Sequence, residues 1–261
     1  MKKLVVCVLL SVPALAAAES PWRLGVAVGY GERSNPLVFA DDVPIYVDLD
    51  IAWFGEHWFF DNGDLGLTFV NNDRVTASAV VRYNSDRVFF SLTNTRFVTT
   101  ALDGSALATA TPVVIPDRDA AIEAGFELLT DGRWGYLQAS AYHDVSGTHD
   151  GYEVGVIWGT GLRAGDRWYL APELGVTYKS EALNDYYWGI RADESNAALP
   201  AYNVEDGVNV RARLRASYYL SKNWSLSLTA EYERINDSAA ASPIVDGQGV
   251  FGYFAGVAYR F

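Results

Sequence analysis

Apolar and polar side chains alternate with a period of two along most of the chain, which is the periodicity of β-strands. Residues 207–220 place an apolar row on one face and arginines on the other, and residues 224–235 repeat the alternation after a three-residue turn. A short turn between two alternating segments predicts a β-hairpin. Its polar face is expected to carry a network of ion pairs made by Arg211, Arg213, Arg215, Glu231 and Glu233.

The same alternation predicts about twelve strands along the chain. They cover residues 22–30, 43–54, 57–70, 74–83, 87–98, 119–129, 133–143, 152–163, 167–178, 207–220, 224–235 and 250–261. The alternation is weakest in the fifth of these segments. In the third it changes phase at Asn62-Gly63-Asp64, which we interpret as a bulge or kink within one strand.

The links between these segments alternate between short and long. Links after even-numbered strands have two or three residues, whereas those after odd-numbered strands are long, with 71–73 as the exception. In a closed barrel with an even number of strands, all odd links lie on one rim. The sequence therefore predicts an all-β fold, a closed antiparallel up-and-down β-barrel, with both termini on the rim of short turns.

The first residues have the pattern of a secretory signal peptide. Two lysines precede an apolar run, 4–15, that is too short to span a bilayer as a helix, and small residues after it predict cleavage before Glu19. We expect a signal peptide at 1–18 and one barrel domain at 19–261. The single cysteine, Cys7, lies in the signal, so the mature chain is expected to have no disulfide.

Two features favour a membrane barrel over a soluble one. Aromatic residues such as Trp22, Trp168 and Tyr178 lie at segment ends on the apolar face, which is typical of the aromatic girdles at membrane interfaces. The opposite face carries charges of both signs, which suits a water-containing lumen. Each feature has an ordinary alternative, namely the strand propensity of aromatics and the solvated face of a soluble sheet. We predict that the apolar face touches lipid.

Charge and the last strand narrow the function further. The net charge of −12 disfavours binding to nucleic acid, because it repels a phosphate backbone. The chain ends on an amphipathic segment with Tyr259 and Phe261 on one face, and this resembles the signal read by the barrel-assembly machinery. These features predict a monomer in the outer membrane of a Gram-negative cell, with periplasmic termini.

Several short motifs together resemble the MipA/OmpV family of outer-membrane proteins. They are Trp22-Arg23-Leu24-Gly25-Val26, Gly29-Tyr30, Arg118-Asp119, Tyr187-Trp188-Gly189-Ile190, Leu199-Pro200-Ala201-Tyr202, Asp237-Ser238, Ser242-Pro243-Ile244-Val245 and Tyr259-Arg260-Phe261. Trp188 departs from the family, which often has Phe there. The resemblance implies an outer-membrane barrel. It also implies a scaffold that joins a murein hydrolase, a lytic transglycosylase, to a bifunctional penicillin-binding protein in peptidoglycan synthesis.

The residues themselves predict no catalytic, cofactor or metal site. Ser140 and His143 are near in sequence, but their spacing places them on opposite faces of a strand, out of reach of one another. His143 and His149 flank a predicted loop and lack an evident set of convergent ligands. We therefore expect a protein that is not an enzyme, with a lipid-modifying enzyme as a weak alternative.

Two alternatives concern transport and the long loop at 179–206. A narrow porin for a small solute is the second hypothesis for function, and the predicted ion-pair network would set its selectivity. The loop is interpreted as a lid over the barrel mouth or as a ligand surface, and the lid is favoured. Its aromatic and apolar candidates are Tyr186, Tyr187, Trp188 and Ile190.

Overall fold

The computed structural model describes residues 20–92, 96–100 and 109–261, with side chains given up to residue 90 and from residue 114. The predicted signal peptide at 1–18 lies outside the described residues, and so do residues 93–95 of the predicted fifth strand. Among the described residues, neither helix has the length and apolar character needed to cross a membrane.

The strands are joined by links of very different length, and two short α-helices lie in the longest links. In chain order the elements are β1 Trp22–Arg33, β2 Val43–Phe54, β3 Trp58–Asp61, β4 Asp64–Asn71, β5 Val75–Tyr83, a 3-10 helix Asp86–Leu92, β6 Arg96–Thr100, β7 Thr109–Val113, β8 Ile122–Gly132, β9 Gly135–Asp144, β10 Tyr152–Gly159, β11 Leu162–Ala164, β12 Trp168–Lys179, α1 Glu181–Trp188, β13 Gly207–Tyr219, β14 Trp224–Arg234, α2 Asp237–Ala240 and β15 Gly249–Arg260.

Twelve of the described strands close an antiparallel barrel. Their order is β10-β9-β8-β5-β4-β3-β2-β1-β15-β14-β13-β12, and β10 pairs with β12 to complete the ring. The short β11 follows β10 and pairs with the start of β12, whereas β6 and β7 pair with each other as a separate hairpin. The predicted closed up-and-down barrel with about twelve strands is therefore confirmed.

The predicted third strand, 57–70, is wrong because the chain reverses within it. Asn62 and Gly63 have positive φ angles of 51° and 107°, the conformation that a tight two-residue hairpin turn requires. Asp61 then pairs with Asp64, so the segment forms two strands, β3 and β4. β3 is short and pairs only with the last three residues of β2, which leaves the wall lower at this point.

The predicted fifth strand, 87–98, is also wrong. The chain forms a 3-10 helix there, and its Phe89 and Phe90 are buried against the long loops and not in the barrel wall. Asp86 anchors the start of this helix, because its carboxylate accepts a 2.6 Å hydrogen bond from Nζ of Lys179 at the end of β12. The split into β3 and β4 adds one strand, and the absence of 87–98 from the barrel wall removes one. The predicted number of twelve is therefore still correct.

The links divide the barrel into two different rims. The long-loop rim carries the links 34–42, 145–151, 180–206 and 235–248 and the described parts of the link after β5, and the short-turn rim carries 55–57, 72–74, 133–134, 165–167 and 220–223. Because β3 and β4 are separate strands, the link at 72–74 follows an even-numbered strand and joins the other short turns. The exception to the alternation of link lengths thus moves to the two-residue turn at 62–63, which follows β3.

The apolar row of each strand lies on the outside of the barrel and the charged row lies inside. Val208, Leu214 and Leu226 are 47%, 44% and 46% exposed. The side chains of Arg213 and Glu231 on the same two strands are only 10% and 15% exposed. This arrangement is inverted relative to a soluble barrel and suits an outer surface in contact with lipid.

Candidate functional site: the lumen and its loop cap

Ion pairs cross the lumen between β12, β13 and β14. The antiparallel register sets Arg213 beside Glu173 on one neighbour and Glu231 on the other. Arg213 pairs with Glu231 and lies 3.6 Å from Oε2 of Glu173, while Nη2 of Arg215 lies 2.5 Å from Oε1 of the same Glu173. Both carboxylates are shared or flanked by guanidinium groups, which compensates for the loss of water around them.

The other two residues of the predicted network lie nearby but make different contacts. Glu233 accepts a 2.8 Å hydrogen bond from Asn209, and its Oε2 lies 3.7 Å from Arg33 on β1. Arg211 is in register with Glu233 but joins no ion pair within the described part of the chain. The sequence pattern did not identify Glu173 as the shared partner, because it lies on β12, before the long loop.

A second group of charges lies on β5, β8 and β10. Arg82 donates to Oε2 of Glu123 at 2.9 Å and also pairs with Glu153, and its guanidinium lies 3.6 Å from the ring centre of Tyr142. Asn84 donates to the other oxygen of Glu123 at 2.7 Å. The alternation places these residues in the lumen. Their pairing cannot be predicted from the sequence, because the link between β5 and β8 is too long to fix the register of the two strands.

A third group connects β1 to the tip of the β3–β4 hairpin. Arg23 donates to Asp50 and to Asp61 at 2.8 Å each. Asn62 in the turn accepts a 2.8 Å hydrogen bond from the backbone N–H of Ile51. Three parts of the lumen wall therefore carry groups of paired charged side chains.

Long loops cover the barrel mouth with an apolar core of their own, which we call the loop cap. Its buried side chains come from four of the five long links and from the start of β15. They are Leu37, Phe89, Phe90, Ile115, Leu183, Tyr187, Trp188, Ile190, Leu199, Val204, Ile235, Ala239, Ile244, Val245 and Val250. Burial of this many apolar side chains is what holds a packed domain together, so these loops form one packed unit on the long-loop rim.

Arg118 fastens two loops of the cap to one another. Its side chain is 1% exposed and donates from Nη1 and Nη2 to the two oxygens of Glu194 at 2.6 and 2.9 Å, and from Nη2 to the carbonyl of Gly189 at 3.1 Å. Partial burial acts to raise the pKa of Glu194, but hydrogen bonds from Arg118 and from the backbone of Arg191 outweigh it, and the pKa is lowered.

The loop residues singled out from the sequence lie mostly inside this cap. Tyr187, Trp188 and Ile190 are 0%, 3% and 1% exposed. Tyr186 is half-buried, and its hydroxyl accepts a 3.0 Å hydrogen bond from the backbone of Asp119. Phe89 packs against Trp188 with ring centres 5.8 Å apart. These positions suit a lid, since three of the four side chains are out of reach of a ligand in solution.

Below the ion pairs, the lumen opens toward the short-turn rim as a cavity, which we call the vestibule. About 160 Å³ of it accommodates water-sized molecules. Small residues such as Gly25, Ala27 and Ser227 line its walls and leave this space empty of side chains, and Lys222 lies at its mouth. The cap and the vestibule are thus at opposite ends of one barrel.

The chain terminus lies on the short-turn rim beside the first strand. The ring centres of Tyr259 and Phe261 are 4.9 Å apart, and Phe261 is 75% exposed. The backbone N–H of Phe261 donates to the carbonyl of Leu24 at 3.0 Å. Phe261 is therefore exposed at the end of the last strand, next to the ring of Tyr259.

The residues considered for chemistry are dispersed. His143 is exposed on the outer face of β9, whereas Ser140 and the buried Tyr142 have the opposite parity and lie on the lumen side. Nδ1 of His149 accepts a 2.9 Å hydrogen bond from the backbone of Gly151. Among the described residues, no three His, Cys, Asp or Glu side chains converge as metal ligands.

Comparison with known proteins assigns the family. The profile of the family described as MltA-interacting protein MipA matches residues 24–261, from the first strand to the last residue. The chain belongs to this family. It is an outer-membrane β-barrel of the MipA/OmpV type, and the resemblance found in its sequence motifs is confirmed.

The relatives of this MipA-family protein include several with outer-membrane names. The MltA-interacting protein of Escherichia coli K12 is 27% identical over 263 residues, which cover 100% of this chain and 99% of the relative. The putative outer membrane protein YiaT of the same organism is 32% identical over 55% of this chain and 58% of its own length. Outer membrane protein OmpV of Vibrio cholerae is 30% identical over 46% of each chain.

Among solved structures, the NanC porin is similar with a TM-score of 0.44 and 10% sequence identity. The match covers 91% of this chain and 100% of the porin chain.

Proposed function

We propose that this protein is a structural scaffold of the Gram-negative outer membrane that holds enzymes of peptidoglycan synthesis and remodelling at the inner surface of that membrane. In this proposal the mature chain, 19–261, forms one monomeric barrel. Its short-turn rim and both termini lie in the periplasm, and the loop cap faces the cell exterior. The partners are a murein hydrolase and a penicillin-binding protein.

The observation that carries the proposal is the loop cap. A barrel used for transport needs a path through its lumen, whereas here an apolar core of fifteen buried side chains lies across one mouth. The full-length similarity to a protein named for its interaction with MltA adds support for a binding role. A barrel closed by its loops would hold the short-turn rim at the membrane for partners to bind, without creating a pore.

The short-turn rim supports a docking role through its exposed aromatic residues. Trp134 in the turn between β8 and β9 is 73% exposed, and Arg133 lies 4.8 Å from its ring centre. Trp58 at the start of β3 is 54% exposed. Tryptophan and arginine are the residue types most often found at the energetic centre of protein interfaces.

Site-specific crosslinking tests the scaffold. A photoreactive amino acid placed at Trp134 or Asp166 on the short-turn rim is expected to capture a murein hydrolase or a penicillin-binding protein in intact envelopes. The same group at Asp193, an exposed residue of the loop cap, is the matched control and is expected to capture neither. Recovery of neither enzyme from any short-turn position would refute the scaffold.

The narrow porin remains the second candidate, and the vestibule is the observation in its favour, since it opens part of the lumen toward the short-turn rim. The porin predicts ionic conductance of the purified barrel in a planar bilayer. The scaffold predicts none, because the cap and the ion pairs of Arg213 and Arg82 obstruct the path.

We also propose that Tyr259 and Phe261 form the signal read by the barrel-assembly machinery. Their exposure on the outside of β15 supports this role. Removal of Phe261 is expected to lower the amount of folded barrel in the outer membrane, measured by its heat-modifiable mobility in gels. Leu226→Ala, a change at another lipid-facing residue, serves as the control.

A further inference from the structure

We infer that the vestibule is a binding site for a small zwitterion, a molecule with an ammonium group at one end and a carboxylate at the other, such as a short peptide. The ammonium group is directed at Asp48 in the roof, and the carboxylate is directed at Lys222 and Arg260 at the mouth. This inference is independent of any protein partner on the rim.

Two side-chain oxygen atoms in the roof of the vestibule make no hydrogen bond to any described residue, whereas Arg215, which also lines the roof, pairs with Glu173. Within the described part of the chain, Oδ1 of Asp48 and Oγ1 of Thr229 are buried and make no hydrogen bond. Thr229 is only 8% exposed, and both residues line the vestibule. A buried polar group without a partner is costly. Such a pair of atoms therefore indicates a place where a ligand completes the hydrogen bonds.

The carboxylate in the roof of the vestibule favours a ligand that donates hydrogen bonds. A carboxylate only accepts hydrogen bonds, and a charged donor makes the strongest bond to it. Neighbouring Asp50 is already occupied, because Arg23 donates to it at 2.8 Å. Asp48 is therefore the carboxylate available to a ligand, and Thr229 can accept a second N–H of the same ammonium group.

The mouth of the vestibule has the opposite charge. Lys222 lies in the turn between β13 and β14, and Arg260 is the last residue of β15; both are exposed and both line the opening. Asp48 and Thr229 lie near the middle of β2 and β14, so they are deeper than these two cations. Negative charge inside and positive charge outside match a zwitterion that enters with its ammonium group first.

The walls between roof and mouth are small and polar. Gly25, Ala27, Ser217 and Ser225 face the vestibule between the two charged levels. An added Cβ at Gly25 would lie 3.4 Å from Cβ of Asp50, so a larger side chain there would crowd the site. The walls offer hydroxyl groups, and the two other charged residues of the lining, Asp50 and Arg215, are paired with Arg23 and Glu173. This suits the uncharged backbone of a short peptide.

Calorimetric titration of the full barrel in lipid nanodiscs tests the inference with three probes. The dipeptide alanylalanine is expected to bind, and its N-acetyl form is expected to bind about tenfold or more weakly, because it lacks the charged donor. Alanylalanine amide, which lacks the carboxylate, is expected to bind a few-fold more weakly, since Lys222 and Arg260 are exposed to water and screened by salt.

Substitutions show which side chains of the vestibule cause these differences in affinity. Asp48→Asn is expected to abolish the preference for alanylalanine over its N-acetyl form, and Thr229→Val is expected to weaken binding of alanylalanine. Asp64→Asn removes a carboxylate of the lumen that does not line the vestibule, and it is expected to change nothing. Absence of alanylalanine binding, or equal binding of it and its N-acetyl form by the unaltered barrel, overturns the inference. Both results are obtained with the unaltered barrel, so they do not depend on the folding of a variant.

Discussion

The two ends of this barrel are built by different physical means. The loop cap is an apolar core whose residues come from four links that are far apart in the chain and from the start of β15. They extend from Leu37 to Val250. The vestibule is lined by small and polar side chains of neighbouring strands, among them Ser217 and Ser227. In the proposed function, hydrophobic packing closes one end, so that the other end remains open to water while the membrane stays sealed.

The cap and the short-turn rim each contain a tryptophan, and the comparison predicts very different effects of removing it. Trp188→Ala leaves a cavity in the cap and is expected to destabilise it by about 3–5 kcal/mol. Trp134→Ala, at a residue that is 73% exposed, is expected to change the stability of the cap by less than about 0.5 kcal/mol. Hydrogen exchange of residues 180–206 measures both effects. Equal effects would mean that the cap is not a packed core.

The ion pair in the cap predicts the next largest effect. Arg118→Ala leaves the carboxylate of Glu194 without its main partner and is expected to cost about 3 kcal/mol. Arg191→Ala is the matched control, because Arg191 is 48% exposed and its Nη1 lies 3.5 Å from the same carboxylate. An exposed pair of this kind is worth about 1 kcal/mol or less. Limited proteolysis of the long loops should separate the two variants, and similar cleavage rates would contradict the assignment.

Acid is expected to loosen the cap by a smaller amount. The folded pKa of Glu194 is lowered, so its stabilising contribution is complete above the ordinary carboxyl pKa and is lost as the pH falls below it. We expect constant protection of the cap from pH 8 to about pH 5 and a loss below about pH 4. Glu194→Gln should remove the part of this loss that follows from Glu194. Loss of protection near pH 6 would point to another group.

The sequence predicted the barrel well because lipid and lumen impose a strict alternation on each strand. β2 has the predicted bounds, and the pairing of Arg213 with Glu231 follows from a short turn that fixes the register of β13 and β14. Local pattern and three-dimensional contact coincide in such hairpins. This explains why the fold class and most of the strands could be derived without a structure, whereas the number twelve was reached through two errors that cancel.

The two errors arose where an apolar run does not form a single strand of the wall. The alternation changes phase at Asn62-Gly63 and then resumes, which fits a bulge as well as a turn, but positive φ at both residues forms a hairpin. Phe89 and Phe90 resemble strand residues, but their burial is in the cap. Contacts between distant loops decide the structure there, and no local pattern encodes them.

The same distinction explains what sequence reasoning missed in the site. Arg118 was noticed only within a family motif, because its partner Glu194 follows 76 residues later. The oxygen of Asp48 that makes no hydrogen bond depends on which strands surround it, and the alternation along β2 does not encode that. The lid interpretation of Trp188 needed only the length and aromatic content of its loop.

Thiol labelling tests most directly whether the barrel is sealed at the cap and open at the short turns. The only cysteine is Cys7 in the predicted signal peptide, so Ser227→Cys would place a single thiol in the vestibule of the mature barrel. A bulky membrane-impermeant maleimide added to intact cells is expected to leave it unlabelled, although it labels Asp193→Cys on the cap. The same reagent should label it rapidly once it is admitted to the periplasm. Labelling of Ser227→Cys from outside intact cells would contradict the closure of the barrel by its loops.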